Sequence, residues 1–237
     1  SQLWIDAISR AAQPHGMYRR LVLASLMCPS LTLGALASSV AHADESAAQR
    51  QLRHRMEALQ ASGRLTVDGV RITAVRVSAE LYPQSRFEPV WTDPKKVDEL
   101  LRAIQDIRGD GLDPQDYYLD RLKTLRADLA TRPDVGKEVD LDILLTDALA
   151  RLAYNAFYGK VDPERIDRNI NITQTWTGAK GAERVREFLA SKSLYQQIDD
   201  LKPHRPKYDQ FRQALARYRR YEEAGGWGRI PKGKLLS

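Results

Sequence analysis

Cysteine and histidine are scarce in this sequence of 237 residues, which has one cysteine and four histidines. Only His54 and His204 lie beyond residue 43, and 150 positions separate them. Isolated histidines do not form the clusters that zinc sites and histidine-based catalytic triads require. The sequence also lacks a glycine-rich phosphate loop and a Gly-x-Ser-x-Gly elbow. We therefore assign no catalytic, cofactor-binding or metal-binding residue from the sequence.

Blocks of like charge are missing as well, although the formal net charge is +6. Acidic residues interrupt nearly every basic segment, and no stacking-aromatic motif accompanies the basic residues. This distribution argues against a nucleic-acid-binding protein. A mildly basic surface suits association with anionic cell-surface polymers.

The single cysteine, Cys28, lies in a segment from Met17 to Ala43 that has the pattern of a secretory signal. Arg19 and Arg20 form a basic start, an apolar run follows, and Ala41-His42-Ala43 provides a small-residue cleavage site. We expect residues 17–43 to be removed, which leaves a mature chain without cysteine. The alternative is an uncleaved membrane anchor, because the apolar run is near bilayer-spanning length. Residues 1–16 precede the pattern and are interpreted as upstream, non-native residues.

The segment from Val139 to Pro163 organises the rest of the sequence. Its apolar residues recur at spacings of three and four, namely at Leu141, Leu145, Leu149, Leu152, Ala153 and Ala156. Others fill most of the opposite side, namely Ile143, Leu144, Ala148 and Phe157. A helix that is apolar nearly all round lies inside a core. The sequence thus predicts a mainly α fold, a compact multi-helix domain around a buried central helix at about 140–158.

Polar residues define the ends and one stripe of this predicted helix. Asp140 and Asp142 suit its N-terminal end, and Gly159 suits a left-handed stop at its C-terminal end. Asp147 and Arg151 stand four residues apart, so we expect a weak ion pair between them.

The flanking segments predict further short elements. Asp68-Gly69 between two β-prone runs predicts a small hairpin near residues 65–72. Asp93-Pro94 and Asp113-Pro114 each predict a capped helix start, with Gly109 ending the first of these helices. A last amphipathic helix, closed by Gly225-Gly226, is marked by Tyr208, Phe211, Leu215 and Tyr218. Periodic apolar residues predict other helices at 44–62, from Thr73 to Pro83, at 185–189 and at 194–201.

Two groups of carboxylates are candidates for chemistry. The loop from Asp110 to Asp116 is acidic, but its spacing is not that of a calcium-binding helix–loop–helix. A cap and a turn explain it without a ligand. Glu80, Glu88 and Glu164 could supply a pair for glycan hydrolysis, but solvated charges are the simpler interpretation. Aromatic residues able to stack on sugars or pack in a core are Tyr154, Tyr158, Trp176 and Trp227.

Several short motifs, taken in order, resemble the N-terminal scaffold domain of large bacterial L,D-transpeptidases, which cross-link peptidoglycan in the periplasm. The first are Leu81-Tyr82, the run from Arg86 to Trp91, and the run from Asp110 to Pro114 with Tyr117. The next are the runs from Leu145 to Ala148 and from Gly159 to Pro163. The last are Leu201-Lys202-Pro203, Tyr208, Arg212, Leu215, Tyr218 and Gly225-Gly226-Trp227. The resemblance covers roughly Leu65 to Pro231.

The sequence departs from this family in one respect. The resemblance implies a peptidoglycan-binding module and a catalytic domain with a Gly-Cys nucleophile motif, and no Gly-Cys occurs here. No catalytic residue can be carried over. The resemblance therefore implies a non-catalytic scaffold domain, interpreted as a fragment of a cysteine L,D-transpeptidase.

The expected organisation is a helical segment at 44–62, the scaffold-like domain at 63–230 and the start of a linker at 231–237. The expected location is the periplasm. The expected partners are peptidoglycan or the missing modules, with membrane contact only through an uncleaved signal. The alternatives are a free-standing peptidoglycan-associated binding domain and a carboxylate-dependent wall hydrolase.

Overall fold

The computed structural model of the chain describes residues 45–160 and 176–226. The described residues form eight α-helices, two short 3-10 helices and one two-stranded ribbon. The helices are α1 (Ala47–Ser62), α2 (Val75–Gln84), α3 (Pro94–Asp106), α4 (Leu119–Thr131), α5 (Val135–Tyr158), α6 (Gly178–Ala190), α7 (Leu194–Asp200) and α8 (Pro206–Glu223). The mainly α fold is confirmed. Residues 1–16, the signal pattern at 17–43 and the tail at 231–237 lie outside the described residues. Among residues 45–160 and 176–226, no helix is both long enough and apolar enough to cross a bilayer.

Helix α5 is the central helix that the sequence predicts. Six helices, α1 to α4, α6 and α7, pack against it. Ile143, Leu144 and Leu149 are fully buried among them. Because its apolar residues cover most of its circumference, α5 can contact helices on several sides at once.

The polar ends of α5 differ from the prediction. Asp134 has an extended backbone, and its side chain accepts a hydrogen bond of 2.9 Å from the backbone N–H of Lys137, so the helix begins at Val135. Asp140 instead forms a 2.7 Å ion pair with Arg55 of α1, and Asp142 is buried in the core. Gly159 ends the helix with φ +86° but an extended ψ, not in the left-handed helical region. Phe157, expected inside, is about half exposed.

The predicted hairpin is present as β1 (Thr66–Val67) paired antiparallel with β2 (Val70–Arg71). Asp68 and Gly69 both have positive φ, as a two-residue turn of this twist requires. The ribbon is stabilised from outside, because Val67 is fully buried and β1 packs against α5.

Both Asp-Pro helix starts are confirmed, but the elements that they begin differ from the prediction. Asp93 and Asp113 each accept a 2.9 Å hydrogen bond from a backbone N–H two residues later. Helix α3 ends at Asp106, before Gly109, and continues as a 3-10 helix from Ile107 to Asp110. The left-handed glycine is Gly111, with φ +86°.

The second start leads into a 3-10 helix, Pro114–Tyr117, and not directly into a long helix. Tyr118 has φ +63° and separates this turn from α4. The interruption coincides with a hydrogen bond from the Tyr118 hydroxyl to a buried carboxylate of α5.

The last helix, α8, is confirmed, and of the four residues that mark it Tyr208 and Leu215 are half-buried. None of its residues is buried, and Phe211 and Tyr218 are 72% and 61% exposed. Tyr208, Arg212 and Arg219 face the rest of the domain through hydrogen bonds and an ion pair. Phe211 and Tyr218 therefore lie on a flank of α8, because polar contacts decide which side of the helix docks.

Gly181 sets the spacing between α2 and α6. A Cβ atom built on Gly181 would lie 2.7 Å from Cγ2 of Val77 and 3.0 Å from the carbonyl oxygen of Trp176. We expect Gly181→Ala to lower the free energy of unfolding by about 1–3 kcal/mol, because the two helices must move apart. Urea denaturation checks this. Gly109→Ala is the matched control, since its Cβ would meet only the flexible end of Arg212, at 3.4 Å. Equal losses in the two variants would contradict the packing argument.

Candidate functional site

Asp147 of α5 connects three separate parts of the chain. The side chain is fully buried. One carboxylate oxygen accepts hydrogen bonds from the backbone N–H groups of Thr73 and Ala74, at 2.9 and 2.5 Å. The other accepts a hydrogen bond of 2.8 Å from the hydroxyl of Tyr118. The carboxylate thus fixes the backbone that leads into α2, a helix without a side-chain cap of its own, and places negative charge near its N-terminus.

The same contacts explain the strained backbone before α4. Tyr118 holds a positive φ, which is uncommon for a residue with a Cβ atom. Its hydroxyl donates to Asp147 and accepts a 2.7 Å hydrogen bond from Arg151. Arg151 lies 3.7 Å from the Asp147 carboxylate. The predicted pair of Asp147 and Arg151 is therefore part of a buried network and not a weak surface ion pair.

A second network on α5 holds the connector between α2 and α3. The buried carboxylate of Asp142 accepts hydrogen bonds from the hydroxyl of Tyr82 at 2.8 Å and from the backbone N–H of Trp91 at 2.9 Å. One turn later, the Thr146 hydroxyl accepts a 3.0 Å hydrogen bond from the indole N–H of Trp91. Both the main chain and the side chain of Trp91 are thereby fixed to the central helix.

Burial raises the pKa of Asp142 to about 6, although the hydrogen bonds from Trp91 and Tyr82 act in the opposite direction. An unfolded aspartic acid titrates near pH 4. Between about pH 4 and pH 6 the folded state therefore holds a proton that the unfolded state has released. It follows that this group's contribution to the free energy of unfolding falls as the pH rises through that window.

Between pH 4 and pH 7 we expect the free energy of unfolding of wild type to fall by about 2–3 kcal/mol relative to that of Asp142→Asn, because the variant has no titrating group at this site. Urea denaturation of both proteins across this range measures the difference. Other carboxylates titrate alike in both proteins and cancel in the comparison. If the difference between the two free energies of unfolding stays constant, or changes in favour of wild type as the pH rises, the raised pKa of Asp142 is contradicted.

Asp110 forms the third network, at the end of the first 3-10 helix. Its side chain is 3% exposed and lies 2.9 Å from Nζ of Lys202 and 2.8 Å from Nε of Arg212. The hydroxyl of Tyr208 donates to the same carboxylate at 2.9 Å. Burial and the neighbouring Asp110 raise the pKa of Tyr208 above its usual value, so the hydroxyl remains a donor. This carboxylate docks α8, a helix without a buried side chain of its own. We refer to these three networks, that of Asp147, that of Asp142 with Thr146, and that of Asp110, as the polar joints.

The other acidic candidates have ordinary structural positions. Asp113 caps its 3-10 helix, and Asp116 forms an ion pair with Lys160. Glu80 and Glu88 are exposed, and Glu164 lies outside the described residues. Over residues 45–160 and 176–226, no three His, Cys, Asp or Glu side chains are grouped so that they could hold a metal ion.

Three of the four candidate aromatic residues come together, while Trp227 lies outside the described residues. Tyr154 and Tyr158 have ring centroids 4.9 Å apart, and Phe157 stacks on Trp176 at 4.8 Å. The guanidinium of Arg184 lies 5.0 Å from the centre of the Trp176 ring. The Trp176 ring thus packs within the domain, and this leaves less of it for stacking on a sugar.

Sequence reasoning missed the importance of Asp142, Thr146 and Asp110. The signal was present, because Asp142 and Thr146 interrupt an otherwise apolar helix, and a polar residue in such a position needs a buried partner. The sequence does not reveal which residue that partner is. Tyr82 lies 60 positions before Asp142, and Tyr208 lies 98 positions after Asp110.

The fold and the polar joints define a helical structural domain, whose buried carboxylates bind other parts of the same domain. Comparison with known families matches residues 77–215 to a family described as "Scaffold domain", the scaffold domain of L,D-transpeptidases. This match covers more than half of the 237 residues, and the chain belongs to that family. Searches of curated proteins and of solved structures returned no match.

Proposed function

We propose that this chain is the non-catalytic scaffold domain of an exported L,D-transpeptidase that cross-links peptidoglycan in the periplasm. Membership of the scaffold family supports the non-catalytic part of the proposal. The signal pattern at residues 17–43 supports export. Cross-linking would be carried out by a catalytic module that contains the cysteine nucleophile, and not by this domain.

The observation that carries the proposal is that the motif residues connect distant segments of the domain. Trp91, Asp110, Thr146, Asp147 and Arg212 belong to the motifs that resemble the family, and each takes part in a polar joint. In an enzyme's catalytic domain, motif residues are expected to converge on a site open to substrate. Here they connect helices that are distant in the sequence, as a scaffold requires.

The chemistry of transpeptidation supports the same conclusion. An acyl-enzyme needs a nucleophile activated by a neighbouring base, together with groups that stabilise an oxyanion. The part of the sequence beyond residue 43 has no cysteine, and its two histidines, His54 and His204, are exposed and far apart in sequence. The buried carboxylates are occupied by the polar joints and do not line a substrate cleft.

We expect the purified chain neither to cross-link nor to cleave peptidoglycan, and not to react with carbapenem-type acylating inhibitors. Incubation with isolated sacculi, followed by analysis of released and newly joined muropeptides, checks this. An active L,D-transpeptidase on the same sacculi is the positive control. Reproducible turnover that Glu88→Gln or Asp113→Asn abolishes would overturn the scaffold proposal in favour of a wall hydrolase.

The net charge, which is +6 for the whole sequence and remains positive for the residues beyond 43, favours a second candidate function, weak association with anionic wall polymers. Such binding depends on charge and should fade as the salt concentration rises. Co-sedimentation with sacculi at low and high salt tests it. Binding that persists unchanged at high salt would indicate a specific wall-binding domain instead.

A further inference from the structure

An apolar pocket of about 240 Å³ opens where α2 begins, beside α5 and the residues that precede α6. Its walls are formed by Val75, Val77, Ala150, Tyr154 and Trp176. Drug-sized ligands occupy pockets of about 300–1,000 Å³. This pocket is therefore suited to a smaller group, of the size of one or two short aliphatic side chains.

The positively charged side chain of an arginine lies at the edge of this apolar pocket. Arg76 lines the pocket and is exposed. No carboxylate of the described residues forms an ion pair with it, whereas the arginines of the polar joints, Arg151 and Arg212, have carboxylate neighbours. A guanidinium group offers paired N–H donors whose geometry matches a carboxylate.

A hydroxyl group completes the polar edge. Thr177 lines the same pocket, precedes α6 and makes no side-chain capping hydrogen bond. Its hydroxyl can donate or accept one hydrogen bond. The pocket thus combines a mainly apolar lining, one cation and the hydroxyl-bearing side chains of Thr73, Tyr154 and Thr177. This pattern is complementary to a small apolar group next to an anion and an amide.

We propose that this pocket binds a short aliphatic peptide through its free C-terminal carboxylate. The aliphatic side chains lie against Val75, Val77 and Ala150, and the carboxylate pairs with Arg76. The Thr177 hydroxyl bonds to the neighbouring peptide group. This inference rests on the pocket alone and does not depend on the proposed function.

The pocket favours such a peptide over a sugar. A sugar ring carries a hydroxyl on most of its carbon atoms, and each of these needs a partner when it is buried. Among the lining residues only Thr73, Arg76, Tyr154, Trp176 and Thr177 carry polar side-chain atoms, which is fewer groups than a buried ring with all its hydroxyls requires. The Trp176 ring, which could stack on a sugar, already contacts Phe157 and Arg184.

NMR titration of the complete chain with N-acetyl-alanyl-alanine tests the proposal. We expect saturable shifts confined to the amides of residues 73–77, 150 and 177. Arg76→Gln should weaken the affinity about tenfold or more, because a charge-assisted hydrogen bond is lost. Arg76 is exposed, so this variant should fold. Arg217→Gln is the matched control, since Arg217 is an exposed arginine on α8, away from the pocket, and should leave the affinity unchanged.

The other probes separate the possible results. The probe is used in two forms. The L,L form of N-acetyl-alanyl-alanine represents the C-terminus of a protein, and the D,D form represents a cell-wall stem. Binding of either form supports the proposal, and the form that binds identifies the source of the ligand. Equal binding of the C-terminal amide would overturn it, because the carboxylate would then play no part. Preferential binding of N-acetylglucosamine, an unchanged affinity in Arg76→Gln, or no binding by any probe would overturn it as well.

Discussion

Replacing Asp147 with alanine is expected to lower the free energy of unfolding by about 3–5 kcal/mol, the range for removing one partner of a buried ionic network. The substitution leaves the N–H groups of Thr73 and Ala74 without their acceptor. It also removes the carboxylate that forms an ion pair with Arg151 and accepts a hydrogen bond from the hydroxyl of Tyr118. Each unsatisfied buried group adds its own desolvation cost.

Urea denaturation followed by circular dichroism measures the effect of Asp147→Ala. Asp128→Ala is the matched control, because Asp128 forms a surface ion pair with Lys137 in which both side chains are nearly half exposed. Surface pairs contribute about 0–1 kcal/mol. If the two variants lose similar stability, Asp147 does not hold α2 and Tyr118 in the way described.

Replacing Leu149 with alanine is expected to cost about 2–5 kcal/mol, because it removes buried methyl groups and leaves a cavity at the centre of the domain. Leu149 is fully buried on α5, the helix against which six others pack. Leu141→Ala is the matched control on the same helix, since Leu141 is only half-buried and should lose less.

Thermal and urea denaturation of both leucine variants give the comparison. A loss for Leu149→Ala below about 1 kcal/mol, the size of an average substitution, would remove α5 from the centre of the fold.

The central helix could be predicted because its evidence is local. Leu145, Leu149 and Leu152 follow the helical period, and that period depends on neighbouring residues alone. The caps at Asp93 and Asp113 and the turn at Asp68-Gly69 were equally predictable, since each acts over two or three residues. Interactions of this range depend only on residues that are neighbours in the sequence.

The polar joints could not be predicted in the same way. Apart from Arg151, which lies four positions from Asp147, the partners of Asp142, Asp147 and Asp110 lie roughly 30 to 100 positions away. Periodicity does not specify which distant groups meet. Tyr118 shows the consequence, because the predicted helix after Pro114 is interrupted where the hydroxyl of Tyr118 reaches Asp147. The docked side of α8 could not be predicted for the same reason. Phe211 belongs to the apolar pattern that marks α8 but is exposed, whereas Arg212 pairs with the buried carboxylate of Asp110.

If the motif residues act as structural connections between distant segments, Trp91 and Thr146 must be energetically coupled. Both belong to the motifs, and the indole N–H of Trp91 donates to the Thr146 hydroxyl at 3.0 Å. A double-mutant cycle of Trp91→Phe, Thr146→Val and the double variant, each measured by urea denaturation, therefore gives the most direct test. We expect a coupling free energy of about 1 kcal/mol or more. Losses that add to within about 0.5 kcal/mol would show that the two residues do not interact, and would contradict the structural role of the motifs.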